Sequence, residues 1–237
     1  GSVADLGVTL DGTDVTSQLT EVDGVLEGVV SGFVEGTTTL RARHDSNPGE
    51  EAVQRVRAWP LTGNWHVDGV LSMSLAPAPD IGRLQPRAET LARALAEHLD
   101  YVGVFALELF VKGDELLGNE MAPRVHNSGH WTIEGAHTSQ FENHVRAVLG
   151  LPLGDTGMDG CAAMFNWVGE LPDRAGVLRV ADAHWHDYGK APRAGRKVGH
   201  ATVCAPDRAT LAARVAAVAQ ALGREVQVAP VLAALRG

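Results

Sequence analysis

Glu108 and Glu120 are the two residues of this sequence whose juxtaposition would carry the most definite chemistry. From Tyr101 to Val111 the side chains alternate, with Gly103, Phe105, Leu107, Leu109 and Val111 on one face and Val102, Val104, Ala106, Glu108 and Phe110 on the other. Glu108 is therefore a carboxylate on a strongly apolar strand. Lys112 to Glu115 reads as a turn and Leu116 to Met121 as the returning strand, and a three-residue loop at 113–115 would set Glu108 opposite Glu120. Cross-strand neighbours stand roughly 5 Å apart. Two ionised carboxylates at that separation repel unless a cation lies between them or one is protonated. Hard oxygen ligands favour Mg²⁺, and Asn119 adds a neutral oxygen beside Glu120. The alternative open to the same residues is an ion pair between Glu108 and a nearby Arg such as Arg124, with no metal.

The returning strand runs into a polar stretch from Asn119 to Thr132 that sets Arg124, His126, Asn127, Ser128 and His130 among few apolar residues. Loops of this composition on a rigid scaffold carry function. Arg124 can fork onto a carboxylate or phosphate, and Asn127 and Ser128 can cap or donate; the bland alternative is a solvated loop with internal hydrogen bonds. A second concentration is basic: Lys190, Arg193, Arg196 and Lys197 fall within eight positions of a chain whose net charge is -9. A phosphate monoester dianion requires such converging donors, whereas the plain alternative is a solvated basic loop. His184 and His186 share a strand face and, with His200, make a weak zinc signal.

Regular elements must position these groups. The periodicity predicts a helix after Pro86 on Ala88, Leu91, Ala92, Leu95, Ala96 and Leu99. A second helix starts at Ser139 with Glu142 completing a capping box; it is expected to bury Phe141, Val145 and Val148 and to stop at Gly150. A third follows Asp207, runs through Leu211, Val215, Val218 and Leu222, and ends at Gly223. Strands are expected at 33–43, 53–59, 101–111, 116–121, 178–186 and 197–204, with a turn at 44–49 and short strands or an irregular arm over 3–27. This mixture indicates an α+β domain with a largely antiparallel sheet covered by helices.

Composition narrows the function classes. An acidic chain offers no broad basic surface to nucleic acid, so an anionic ligand needs the local cationic cluster noted above. No apolar run reaches the length of a membrane span, and no signal peptide is visible. Two cysteines, Cys161 and Cys204, make no disulfide framework, and a cytoplasmic location is expected.

Longer motifs add a family resemblance. Asn119-Glu120-x-Ala122-Pro123-Arg124-x-His126-Asn127-Ser128-Gly129-His130-Trp131-Thr132, then Ser139-Gln140-Phe141-Glu142-x-His144-x-Arg146-Ala147 and Leu151-Pro152-Leu153-Gly154, resemble the 5-(carboxyamino)imidazole ribonucleotide synthetases of purine biosynthesis. So do Pro60-Leu61-x-x-Asn64-x-His66-x-Asp68-Gly69-Val70-Leu71 and the stretch from His184 through Tyr188-Gly189-Lys190 to His200. The resemblance implies an ATP-grasp carboxy-terminal lobe with a small carboxy-terminal subdomain. It also implies a reaction in which ATP activates bicarbonate for capture by the amine of aminoimidazole ribonucleotide. By resemblance Glu108 and Glu120 hold Mg²⁺ on the ATP phosphates, Asn127 lies beside that site, and Lys190 and Arg196 grip the ribonucleotide phosphate. The expected catalytic set is Arg124, His126, Asn127 and His130; the expected substrate set is His66, Tyr188, Lys190, Arg193, Arg196 and Lys197.

The family chain also has a doubly wound first domain and a lobe with phosphate-binding lysines and a Gly-rich lid, for which residues 1–27 leave no room. The segments expected are an arm at 1–27, a truncated ATP-grasp lobe at 28–155 and the carboxy-terminal subdomain at 156–237. At the hinge, where the family carries acidic residues for adenine and ribose, this sequence reads Val29-Val30-Ser31-Gly32-Phe33-Val34-Glu35-Gly36, followed by Thr37, Thr38 and Thr39. ATP is therefore not expected to be used by the isolated chain. The expected ligand is a phosphorylated metabolite, and the expected partner a second chain supplying the missing lobes or a homodimer. Two further readings stand beside this one. The first is an ATP-independent enzyme with His126, His130, His186 and His200 as acid–base candidates. The second is a ligand-binding or regulatory protein.

Overall fold

A computed structural model describes Pro60 and residues 62–68, 70–79 and 82–236, together with short strand segments at 9–10, 13–14, 20–22, 25–27, 32–37 and 57–58. The expected turn at 44–49, most of the strand at 53–59 and hinge positions 29–31 lie outside the described residues. In chain order the strands are β1 (Thr9–Leu10), β2 (Thr13–Asp14), β3 (Thr20–Val22), β4 (Val25–Glu27), β5 (Gly32–Thr37), β6 (Arg57–Ala58), β7 (Gly63–Asp68), β8 (Leu71–Ala76), β9 (Val104–Lys112), β10 (Glu115–Ala122), β11 (Cys161–Val168), β12 (Ala183–Asp187) and β13 (Lys197–Ala205). The helices are α1 (Gln85–His98), α2 (Thr132–Gly135), α3 (Gln140–Val148), α4 (Arg174–Leu178), α5 (Arg208–Leu222) and α6 (Glu225–Arg236).

Two antiparallel sheets organise the fold. One has the order β10-β9-β5-β6 and the other β12-β13-β11-β8-β7; β1 with β2 and β3 with β4 form two further hairpin ladders. The larger sheet joins strands from both sides of residue 155. Helix α1 lays Ala88, Ala92 and Ala96 on Phe105, Leu107, Leu109 and Leu116 of the first sheet. Small alanines at helical spacing let the helix approach the sheet closely. The second sheet packs Met73, Leu75, Phe165 and Val203 against Leu211, Val215, Val218, Val228 and Val231 of α5 and α6. A third cluster of Trp131, Val104, Ala76, Ala162 and Met164 combines residues of both sheets with the segment that follows β10. The fold is thus α+β and largely antiparallel, as expected.

Local signals at helix ends operate as read. Ser139 Oγ accepts from the Glu142 amide at 3.1 Å, Asp207 Oδ1 accepts from the Thr210 amide at 2.7 Å, and Gly223 closes α5 in the left-handed region at φ 64°. Two expectations are corrected. Of the strand expected at 178–186, Leu178 instead ends α4, which Asp173 caps through the amides of Ala175 and Gly176, and 179–182 form a turn; only Ala183–Asp187 is extended. Helix α3 does not bury Phe141, Val145 and Val148, which are 39%, 55% and 57% exposed; it buries Gln140, Asn143 and Ala147. Its inward face is polar because it docks on loops whose backbone groups need partners: Asn143 accepts from the Gly154 amide at 2.8 Å and donates to the Gly154 carbonyl at 3.3 Å.

Candidate active site

The antiparallel register places Glu120 directly opposite Glu108. The turn is shorter than expected, because β9 reaches Lys112 and β10 begins at Glu115, pairing Glu115 with Lys112. A bulge between Gly118 and Glu120 then shifts the register by one residue at Asn119 and brings the two carboxylates together. Bulges of this kind re-aim side chains beside functional sites. The residue it inserts is used: the Asn119 amide donates to Glu108 Oε2 at 3.0 Å. Arg124 takes no bond from Glu108; its Nη1 donates to the Val125 carbonyl at 3.1 Å on the exposed side of the loop.

The loop after β10 spans from the first sheet to the second. Asn127 donates to Asn166 Oδ1 on β11 at 2.7 Å and accepts from Lys197 Nζ at the start of β13 at 2.7 Å. Trp131, 1% exposed, anchors the loop through its indole N–H, which donates to Thr62 Oγ1 at 3.1 Å. Gln140 organises it from α3. Its Oε1 accepts from the His126 amide at 2.8 Å, and its Nε2 donates to the His126 carbonyl at 2.7 Å and lies 2.8 Å from His130 Nδ1. Gln140 and Asn166 did not figure among the expected site residues. Asn166 carried a signal, as the lone amide in the apolar run Cys-Ala-Ala-Met-Phe-Asn-Trp-Val.

His126 Nε2 lies 3.4 Å from Glu108 Oε1 and 3.7 Å from Glu120 Oε1. The Ser128 amide approaches Nδ1 at 3.4 Å, and an amide can only donate. Ser128 Oγ lies 2.9 Å from the same nitrogen, and in the tautomer where Nδ1 accepts, Nε2 carries the hydrogen toward the carboxylates. Burial, then Arg124 and Lys197, lowers the His126 pKa to about 4, so the ring is neutral at pH 7. Burial first, and Glu120 second, raises Glu108 to about 6, while the Asn119 bond, Lys197 and Arg124 pull the other way. The Lys197 ammonium is lowered by desolvation and supported by both carboxylates.

A second group of rings lies beside this one. His130 is 5.4 Å from His200 and 6.1 Å edge-on from Tyr188, centroid to centroid. Tyr188 Oη is 2.8 Å from His200 Nδ1. Burial pushes Tyr188 up to about 12, His130 down to about 4 and His200 down to about 3. Of the basic stretch, Lys190 Nζ stands 5.0 Å over the Tyr188 ring, Arg193 is exposed, and half-buried Arg196 donates to the Ala191 carbonyl at 3.4 Å. Lys197 departs from that group toward Asn127 and the carboxylates. His66 lies on β7 opposite Ser72; its side chain is outside the described residues. His184, expected beside His186, is exposed.

An opposed carboxylate pair on an antiparallel hairpin, continued by a polar loop into a second antiparallel sheet, matches the ATP-grasp domain, whose family model covers residues 16–141. The model described as the phosphoribosylaminoimidazole carboxylase C-terminal domain covers 162–214. The N5-carboxyaminoimidazole ribonucleotide synthase of Pseudomonas aeruginosa is 50% identical over 203 residues, which are 85% of this chain and 53% of that protein. The crystal structure of the Thermus thermophilus synthetase aligns with a TM-score of 0.71 at 51% identity, over 83% of this chain and 53% of that one. The Aspergillus clavatus synthase in complex with ADP and 5-aminoimidazole ribonucleotide aligns with a TM-score of 0.67 at 29% identity, over 82% and 52%. The chain belongs to the N5-carboxyaminoimidazole ribonucleotide synthase family. It spans about half the length of these relatives. The expectation that ATP is not used finds no support in these matches, since the ATP-grasp model covers the hinge and a relative holds ADP.

Proposed function

We propose that this chain provides the metal-facing and acceptor-facing part of an ATP-dependent site that carboxylates aminoimidazole ribonucleotide. The observation that carries the reading is the register-fixed Glu108–Glu120 pair, with Asn119, His126 and Lys197 around it. The donor set suits Mg²⁺: two facing carboxylates and an amide whose oxygen can turn inward are hard oxygen ligands. Glu108, Glu120 and Asn119 would hold the ion, which when bound neutralises charge on nucleotide phosphate oxygens. His126 Nε2 faces both carboxylates, so the ring either donates to an anionic oxygen beside the pair or, in its other tautomer, joins the two glutamates as a ligand. Asn127, clamped by Asn166 and Lys197, fixes the loop that carries His126 and His130. Both histidines are neutral at pH 7 and so orient and hydrogen-bond without adding charge. Tyr188, Lys190, Arg193 and Arg196 present donors to the ribonucleotide phosphate on the other flank. We place this chemistry in the cytoplasm; among the described residues no helix is long and apolar enough to cross a membrane.

No contact among the described residues favours the ATP-independent or purely ligand-binding reading. The test is phosphate release from Mg-ATP that depends on both bicarbonate and aminoimidazole ribonucleotide, paired with calorimetry of each ligand. Loss of release in Glu108→Gln and Glu120→Gln with ribonucleotide binding retained supports the assignment. A chain that binds neither Mg-ATP nor the ribonucleotide would overturn it.

A further inference from the structure

Glu134, His186 and His200 form a second constellation that the proposed reaction does not use. His186 and His200 are direct cross-strand partners on β12 and β13, and their rings stack with centroids 4.3 Å apart and planes 14° from parallel. Glu134, from short helix α2, places Oε1 2.6 Å from His186 Nε2. One ligand atom from each of the three lies within 4.8 Å of the others. Two of the polar atoms are orphaned: Glu134 Oε2 and His200 Nε2 are buried without a hydrogen-bond partner among the described residues. Leaving buried polar atoms unpaired is costly, and native structures rarely tolerate two in one cluster without a ligand. His200 is 1% exposed, and its other nitrogen is held by Tyr188 at 2.8 Å. That is the outer-shell bond that fixes a metal-ligating imidazole. Glu134 and His186 also line an open cleft of ≈ 370 Å³, bounded by Arg174, Leu178, Trp185 and His184, which gives an ion a way in from solvent.

We propose that Glu134, His186 and His200 bind a zinc-class divalent cation, with cleft water as the remaining ligand. Two imidazoles and one carboxylate with an open position are the donor set of that ion class, whereas Mg²⁺ prefers the all-oxygen pair at Glu108. The near-parallel rings cannot both aim a lone pair at one point as they stand. His186, whose side chain is 31% exposed on the cleft rim, is the ligand that turns, exchanging its bond to Glu134 for one to the ion. The site would fasten α2, which follows the His126–Trp131 loop, to the strand that leads into Tyr188 and Lys190.

The experiment uses the 237-residue chain stripped with chelator and titrated with Co²⁺ and Zn²⁺ without nucleotide. A tetrahedral Co²⁺ spectrum in the visible, one equivalent of Zn²⁺ displacing it, and at least about tenfold weaker binding in both Glu134→Gln and His186→Gln are expected, consistent with loss of a ligand. Glu120→Gln and His184→Ala should leave the spectrum and affinity unchanged. Circular dichroism of each variant separates a lost ligand from a lost fold. His186→Gln keeps volume and a hydrogen-bonding head, so it remains informative if Glu134→Gln unfolds. Absence of tetrahedral Co²⁺ bands, unchanged affinity in folded His186→Gln, or loss of binding in Glu120→Gln alone would each overturn the site.

Discussion

Glu108 feels two neighbours of opposite sign, so removing them one at a time should move its titration in opposite directions. Its carboxylate, 12% exposed, has an oxygen within 4.8 Å of one on Glu120. Two unit charges at that separation interact by about 1 kcal/mol in water and about 3.5 kcal/mol at an effective dielectric constant of about 20. Glu120 is 55% exposed, so solvent screening holds the value near the lower end, about 1 kcal/mol. At 1.36 kcal/mol per pH unit this is somewhat under one unit. Glu120→Gln should therefore bring Glu108 from about 6 to about 5, the remaining elevation being burial. Lys197→Gln removes a stabilising cation and should raise Glu108 above about 6. Carboxyl-carbon NMR titration of glutamate-labelled protein, free of metal, reads both shifts. Glu108 unmoved in Glu120→Gln would refute the coupling of the pair. Shifts of the same sign in the two variants would refute the placement of Lys197.

The histidines make the fold acid-sensitive. His126 and His130, lowered to about 4, and His200, lowered to about 3, are neutral in the folded chain where the unfolded chain, titrating near 6.5, is protonated. Stability should therefore fall as pH falls from about 6.5 toward 4. Glu108, raised to about 6 from 4.5, has the opposite sign and offsets about one of the three between those values. The net slope is on the order of 2–3 kcal/mol per pH unit, measurable by urea unfolding at stepped pH; a flat profile would contradict it. Gly160→Ala should destabilise the fold by more than ~2 kcal/mol, because φ is 87° and a Cβ would stand 2.1 Å from the Ala205 carbonyl oxygen; an unchanged melting temperature would count against this close approach. Ser139→Ala should cost about 1 kcal/mol through loss of the α3 cap, and an equal loss in Ser139→Thr would show that the hydroxyl is not the cause.

How much of this site was legible depended on how local the signal was. The apolar alternation around Glu108 and the caps at Ser139 and Asp207 are written in neighbouring residues, and they hold in the fold. The carboxylate pairing was reached with the wrong turn: a two-residue connection plus the bulge at Asn119 produces the same register as a three-residue loop, and alternation alone does not separate them. Strand β11 escaped notice because it is buried on both faces and shows no alternation; it then proves to be the strand that holds Asn166 against Asn127. Glu134 escaped because its partners, His186 and His200, are distant in sequence and meet it only across packed elements. Helix α3 is the most instructive case. Its apolar residues recur at helical spacing, so a hydrophobic stripe reads as the buried face. The buried face is instead the one with Gln140 and Asn143, because the loop carrying His126 has amide and carbonyl groups that no strand or helix satisfies. A side-chain amide supplies both a donor and an acceptor at once, which an apolar contact cannot. Where a helix supports a functional loop rather than a sheet, the polar positions of its first turn are therefore better guides to its inward face than its apolar period.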